Sequence, residues 1–268
     1  MSTQSDTVCV GLEVEVANET LAIEAELPDR PGTTEDLLPI LYQLDERIVQ
    51  AAERSSEGSG RPVSCRAGCG ACCRQLVPIS EPEARAIARL VTRLPAPRAD
   101  EIRRRFRAAV ERLDTAGMHE RLRASDPLRD QRGWQALITD YFRLGIACPF
   151  LEDESCSIYT ERPLACREYL VSSPPANCAD PAAPIELIDL PVRLASFLLH
   201  FQASAGRQPP EHSVRLLHPE QPSAAPRMVP LILALQWAED QDRSAEPRDL
   251  VELLQELLQF LANAKPAR

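Results

Sequence analysis

The chain has 268 residues, a formal net charge of −10 and 44% hydrophobic content, which is long enough for one large or two small cores, while the acidic balance argues against general nucleic-acid or anionic-membrane binding. A single lysine, Lys265, lies in the C-terminal tail, and this excludes Schiff-base chemistry on an internal lysine. Neither G-x-x-x-x-G-K-[ST] nor G-x-G-x-x-G occurs, so the common phosphate-binding loops are excluded as well.

The first residues, MSTQSDTVCVGLEVEV, have no basic n-region and no apolar h-region of signal-peptide length. The longest apolar stretches, such as 229–238, fall far short of the roughly 20 residues that span a bilayer. The expectation is a cytoplasmic protein without a membrane segment. In that reducing compartment, clustered cysteines read as metal ligands or catalytic groups before they read as disulfides.

Residues 8–27 alternate, with Val8, Val10, Leu12, Val14 and Val16 on one face and Cys9, Glu13 and Glu15 on the other. Ala17-Asn18-Glu19-Thr20 supplies a turn, and Leu21, Ile23, Ala25 and Leu27 resume the period of two, which predicts a β-hairpin. Thr33 or Thr34 is placed to cap a helix running to about Glu53, with Leu37, Leu41, Leu44 and Ile48 as its stripe. Residues 55–62, SSEGSGRP, read as a flexible linker. Ser80-Glu81-Pro82-Glu83 is a capping-box string that starts a helix reaching Leu94. Further helices are expected over 99–123, 134–144, 192–204, 228–240 and 247–263. Residues 148–184 are punctuated by prolines and look irregular, and 206–226 form a Pro-rich linker.

Charge is uneven. Residues 1–60 hold 13 acidic and 3 basic side chains, and residues 85–132 hold 13 arginines against 7 acids. The plain reading of the arginine run is a solvated helical face. A second reading is a docking surface for an acidic protein partner.

Eight of the nine cysteines form one constellation. Cys65, Cys69, Cys72 and Cys73 fall within nine residues, and Cys148, Cys156, Cys166 and Cys178 return about 80 residues later. A buried thiol behaves as a small hydrophobe and has no packing reason to crowd others. Thiolates that must converge on a metal do have such a reason. Adjacent Cys72 and Cys73 disfavour a simple disulfide scheme, since a vicinal bridge is strained. Gly68 and Gly70 suit a tight ligand loop. The helices between the groups would form a hairpin that returns the second group onto the first. Two four-sulfur sites, or one such site with spare thiols, both satisfy the spacing. C-x3-C-x2-C is a compact loop of the kind iron–sulfur clusters use, possible 4Fe-4S ligation included, and Arg66, Arg74, Arg162 and Arg167 flank the ligands. Cys69-x2-Cys72 has zinc-knuckle spacing, but the second C-x2-C of a zinc ribbon is missing. The same C-x3-C-x2-C string occurs in radical S-adenosylmethionine enzymes, whose repeating strand–helix units have no counterpart here.

Cys9 stands alone and reads as an ordinary half-buried strand cysteine. His119, His200, His212 and His218 read as packed or surface side chains, and Tyr159 as a packed aromatic.

The block from Cys65 to Cys178 resembles the YkgJ-type cysteine-cluster family, described as a zinc- or iron-chelating domain. The resemblance rests on C-RAG-C-GA-CC, on Cys148-Pro149-Phe150-Leu151, and on Cys156-Ser157-Ile158-Tyr159 followed by Glu161-Arg162-Pro163-Leu164-Ala165-Cys166-Arg167. It implies a mostly helical, metal-chelating domain, bacterial in its usual setting. Flagellin lysine N-methylases look similar in their cysteine pattern, which adds S-adenosylmethionine-dependent protein methylation as an alternative. A structural zinc module of an interaction protein is a further one.

The expectation is therefore a mainly α protein with a small N-terminal β-hairpin, organised around a cysteine-ligated metal or iron–sulfur site. It divides into residues 1–60 (hairpin plus helix), 61–184 (cysteine cluster) and 185–268 (C-terminal helices). The partner expected is a metal ion or cluster, and nucleic acid is not expected.

Overall fold

The computed structural model describes residues 7–16, 19–124, 131–204, 228–240 and 246–263. The Pro-rich segment 206–226, with His212 and His218, lies outside the described residues, as do Ala17 and Asn18 of the expected turn. The fold is mainly helical, with an N-terminal antiparallel hairpin of β1 (Thr7–Val16) and β2 (Glu19–Pro28). Register pairs Val10 with Ala25, Leu12 with Ile23 and Val14 with Leu21 on the face toward the core. Val8 and Cys9 are exposed. The expected half-burial of Cys9 is therefore corrected: it pairs with Glu26 on the outer face of a two-stranded sheet that nothing covers there among the described residues.

α1 spans Leu38–Gly58, later at both ends than the sequence pattern predicts. Thr33 and Thr34 do not cap it. The Thr33 N–H instead donates to Asp36 Oδ2 at 2.8 Å, so Thr33–Leu37 forms a turn ahead of the helix. The glycines read as a linker end the helix. Gly60 takes φ 75°, its N–H reaches the Glu57 carbonyl, and the Arg61 N–H reaches Ser56 O, both at 2.9 Å. This is a Schellman closure, for which glycine is the preferred residue.

β3 (Pro78–Ile79) leads into α2 (Glu81–Arg93), whose capping box is present in full. The arginine-rich helix divides. α3 runs Ala96–Thr115, Gly117 turns the chain at φ 63°, and α4 (Met118–Ala124) follows. α5 is Gln131–Arg143. The irregular stretch carries a tiny hairpin, β4 (Leu151–Glu152) with β5 (Ser155–Cys156), the single turn α6 (Leu164–Arg167), and 3-10 turns at Tyr159–Glu161 and Pro175–Ala179. α7 (Leu194–Ser204) follows. The helix expected over 228–240 begins instead as β6 (Val229–Pro230), paired to β3, passes through a 3-10 turn, and becomes α8 (Ala234–Asp240). Extended backbone ahead of Pro230 and the Leu231 N–H bond to Val77 O (2.8 Å) explain that start. α9 is Leu250–Asn263.

Apolar residues gather in four clusters. The largest joins the hairpin, α1, Leu164, α7 and the leucine stripe of α9, which is core. A second lies between α2 and α3 and includes Phe150, Ile158 and β6, with Cys148, Cys156 and Cys166 packed against it. A third joins α3, α4 and α5. A small fourth, Ala52, Leu170 and Ile188, takes Cys65 at its edge.

Candidate metal centre

The two cysteine segments meet. The Cys148 N–H donates to the Cys73 carbonyl at 2.7 Å, which stitches the second segment onto the first. α2 to α5 are the hairpin of helices that makes this return, as the spacing predicts.

Two residues with positive φ, Asp153 at 46° and Glu154 at 58°, turn β4 into β5. This is the twist that suits a two-residue hairpin. The first segment grips that turn. Arg74 makes a two-pronged bond to Glu154 (3.0 and 2.6 Å), and this holds the exposed Glu154 carboxyl below its usual range. Gly70 lies so close that a Cβ there would meet Leu151 and sit 2.5 Å from the Glu154 carbonyl oxygen. Gly68 takes φ 89°. From α3, Arg98 and Arg105 both bind Glu152, with Arg105 Nη1 at 2.8 Å, and Arg98 also donates to Ser157 Oγ at 3.0 Å. Much of the arginine run is thus engaged inside the chain, including Arg112 on Leu144 O and Arg121 on Asp140.

Cys166 sits on α6, whose start is fixed by α2. One Glu83 carboxylate oxygen takes the Ser80 N–H and hydroxyl, and the other takes the Leu164 N–H at 2.8 Å. Pro163 supplies the carbonyl for the Cys166 N–H. Glu168, just beyond, accepts the Ala195 N–H at the start of α7. Cys65 Sγ accepts the Val171 N–H at 3.4 Å and lies 3.7 Å from Tyr169 O. Gln75 bridges the Tyr169 hydroxyl (3.2 Å) and the Cys178 carbonyl (3.0 Å).

The thiols perturb one another. Burial pushes Cys148 up to about 12 and Cys166 well above the ordinary thiol range, with neighbouring cysteines adding to both. Burial also raises Cys65 and Cys156, and takes Cys178 to about 11. The adjacent Cys72 and Cys73 side chains hydrogen-bond each other, which lowers the Cys72 thiol and raises that of Cys73. The Arg162 guanidinium pulls down Cys65, Cys72, Cys156 and Cys166, and it stacks 3.9 Å from the centre of the Tyr159 ring. It is thus placed to act on thiols of both segments. Arg74 is taken by Glu154, and Arg167 donates to Arg162 O (2.8 Å) and stacks on Tyr42. Tyr159 is a cation platform more than a packed core aromatic.

The donor set suits zinc or iron: eight free thiols, half-buried or buried, with a cation among them. No group of three or more His, Cys, Asp or Glu among the described residues is drawn to ligand spacing.

Residues 64–181 match the model of the CxxCxxCC family, described as "Putative zinc- or iron-chelating domain". The match spans the middle of the chain. It covers less than half of the 268 residues. This chain's version has one residue more in the first gap, Cys65-x3-Cys69, than the family's name spells out. No curated protein and no solved structure matches the chain. No described helix is long and apolar enough to cross a membrane.

Sequence reasoning passed over the polar groups that hold the domain's loops. Glu83 read only as a helix start, and the signal for its second bond was too remote to see. Asp45 and Glu168 are also buried here, where burial lifts Asp45 to about 7 and Glu168 to about 8. His119 and His200 bond within their own neighbourhoods, to Asp114 and to Ser196 O.

Proposed function

We propose that this protein binds iron or zinc through Cys65, Cys69, Cys72, Cys73, Cys148, Cys156, Cys166 and Cys178, with an iron–sulfur cluster as the favoured occupant. One observation carries the reading. Two four-cysteine segments, far apart in sequence, are stitched together at Cys73 and Cys148 with all eight thiols free. Arg162 favours the cluster, because a thiolate-bound cluster is anionic and a guanidinium beside it offsets charge and donates N–H bonds toward sulfur. The Cys69-x2-Cys72 spacing supports zinc as the second reading. Either occupant requires a reducing compartment that keeps the thiols free, which points to the cytoplasm.

The test is the metal and acid-labile sulfide content, with a visible spectrum, of protein purified without oxygen. Iron with matching sulfide and a coloured protein is the expected result. Colourless protein with zinc moves the reading to a structural site, whose removal should unfold the domain without any redox signal. Protein that holds neither metal after anaerobic reconstitution overturns the proposal.

A further inference from the structure

We infer that the eight thiols form two centres, with Cys65, Cys69, Cys72 and Cys178 serving one, and Cys73, Cys148, Cys156 and Cys166 serving the other. This rests on the metal-binding reading above and deepens it, since the sequence spacing leaves one centre and two equally open.

The backbone divides the thiols. Cys73 and Cys148 are joined carbonyl to N–H at 2.7 Å. Cys156 lies on the β4–β5 hairpin eight residues on, and the Ser157 N–H returns to Phe150 O at 2.9 Å. Cys148, Cys156 and Cys166 all pack against one apolar cluster, that of Phe150, Ile158 and the α2–α3 pair. Cys65 packs against a different one, that of Ala52, Leu170 and Ile188. Its sulfur is held by the backbone of Tyr169 and Val171, and the Tyr169 side chain hydrogen-bonds the Cys178 thiol. Gln75 ties Tyr169 and Cys178 together from the first segment.

The charge neighbours sort in the same way. Cys65, Cys69 and Cys72 weigh on Cys178, while Cys148, Cys156 and Cys72 weigh on Cys166. Cys148 and Cys156 weigh on Cys73. Cys72 weighs on thiols of both sets and hydrogen-bonds with Cys73, so the centres share a border at the vicinal pair. Four thiolates complete a tetrahedral zinc or an iron–sulfur cluster. Cys73 makes the fourth beside Cys148, Cys156 and Cys166, and this leaves Cys72 to complete Cys65, Cys69 and Cys178. Each centre then draws ligands from both segments.

The test counts metal per chain, by native mass spectrometry and elemental analysis, in wild type and in Cys178→Ser, Cys156→Ser, Cys69→Ser/Cys178→Ser and Cys156→Ser/Cys178→Ser. Each single variant should hold half the wild-type metal. The Cys69→Ser/Cys178→Ser pair, within one set, should stay at half, and the pair across sets should hold almost none. A within-set pair that falls to none, or a single variant that keeps or loses everything, overturns the division. A second measurement uses wild type alone and so does not depend on any variant folding. Metal is removed in part with a chelator, the protein is alkylated, and the labelled cysteines are mapped. Alkylation should appear in the two sets named, with exposed Cys9 labelled throughout, whereas labels mixed between sets refute the division. Wild type that binds no metal refutes the reading beneath instead, and so the two failures are told apart.

Discussion

The region built from the hairpin, α1, α7 and α9 and the region 64–181 are held together by different physics. In the first, Leu27, Leu41, Leu44, Ile48, Leu198 and Leu257 are almost wholly buried in one apolar cluster, and burial of that kind supplies most of a domain's stability. In the second, the ligand segments have hardly any regular structure. Their elements are two-residue strands, the four-residue α6 and short 3-10 turns of three and five residues, fixed by polar bonds from Glu83, Arg74, Arg98 and Arg105. A core of leucines specifies itself. The cysteine segments rest on polar contacts instead.

Removing metal should break this comparison most visibly. With a chelator, hydrogen exchange at 64–76 and 148–178 should rise to that of an open chain, while the buried strands and helices of the leucine region keep their protection. Structural thiolate sites contribute on the order of 10 kcal/mol to their domain. Uniform loss of protection across both regions would show that they fold as one unit. The converse is Leu257→Ala in α9, which should lower unfolding stability by about 2–5 kcal/mol and leave metal per chain unchanged. Gly70→Ala should do the reverse on a smaller scale. Its Cβ collides with the β4–β5 turn, at a cost of about 1–3 kcal/mol, and the loss should appear as weaker metal retention in a competition with chelator.

Glu83→Ala tests the seam, because Leu164 belongs to the leucine cluster while Cys166, two residues on, packs in the other. Losing the acceptor for Leu164 and the cap of α2 should cost about 1–3 kcal/mol and should lower both thermal stability and metal retention. The smallest effect expected is one of pH. Burial raises the Asp45 carboxyl from its ordinary 3.8 to about 7, and its partner Glu168 is raised as well. The folded state therefore holds this proton more tightly than the unfolded state. The contribution is fully present below about pH 4 and is lost as pH rises through about 7. Asp45→Asn should flatten that part of the stability profile and raise stability at pH 8 by roughly 1–3 kcal/mol, measured by denaturant unfolding at saturating metal. An unchanged profile would show that Asp45 is ionised throughout.

Much of this contrast is written in the sequence, unevenly. The hairpin, the α2 capping box and the α9 stripe are local patterns with a fixed period, and all appear where the pattern puts them. Helix ends were harder. Gly58 and Gly60 look like a linker in composition, yet Gly60 closes α1 because only the tertiary fold decides whether a glycine caps or frees the chain. The break of the arginine-rich helix at Gly117 was missed for the same reason. In the cysteine region the identities of the thiols were legible and their supports were not. Glu83 to Leu164, Arg74 to Glu154 and Gln75 to Cys178 each cross about 80 to 103 residues, and no periodicity records a bond of that span.

The stitch from Cys73 to Cys148 also bears on the birth of the chain. Neither proposed set of four is complete in the first segment, and the last thiol of one, Cys178, is made 113 residues after its first, Cys65. At translation speeds of about 5–20 residues per second, the first four cysteines wait roughly 4–20 seconds for their partners. During that interval they are unpaired nucleophiles on a nascent chain, open to oxidation or to the wrong metal. Loading is then an event of late synthesis, and a chain truncated before Cys148 would expose four cysteines with no means of burying them.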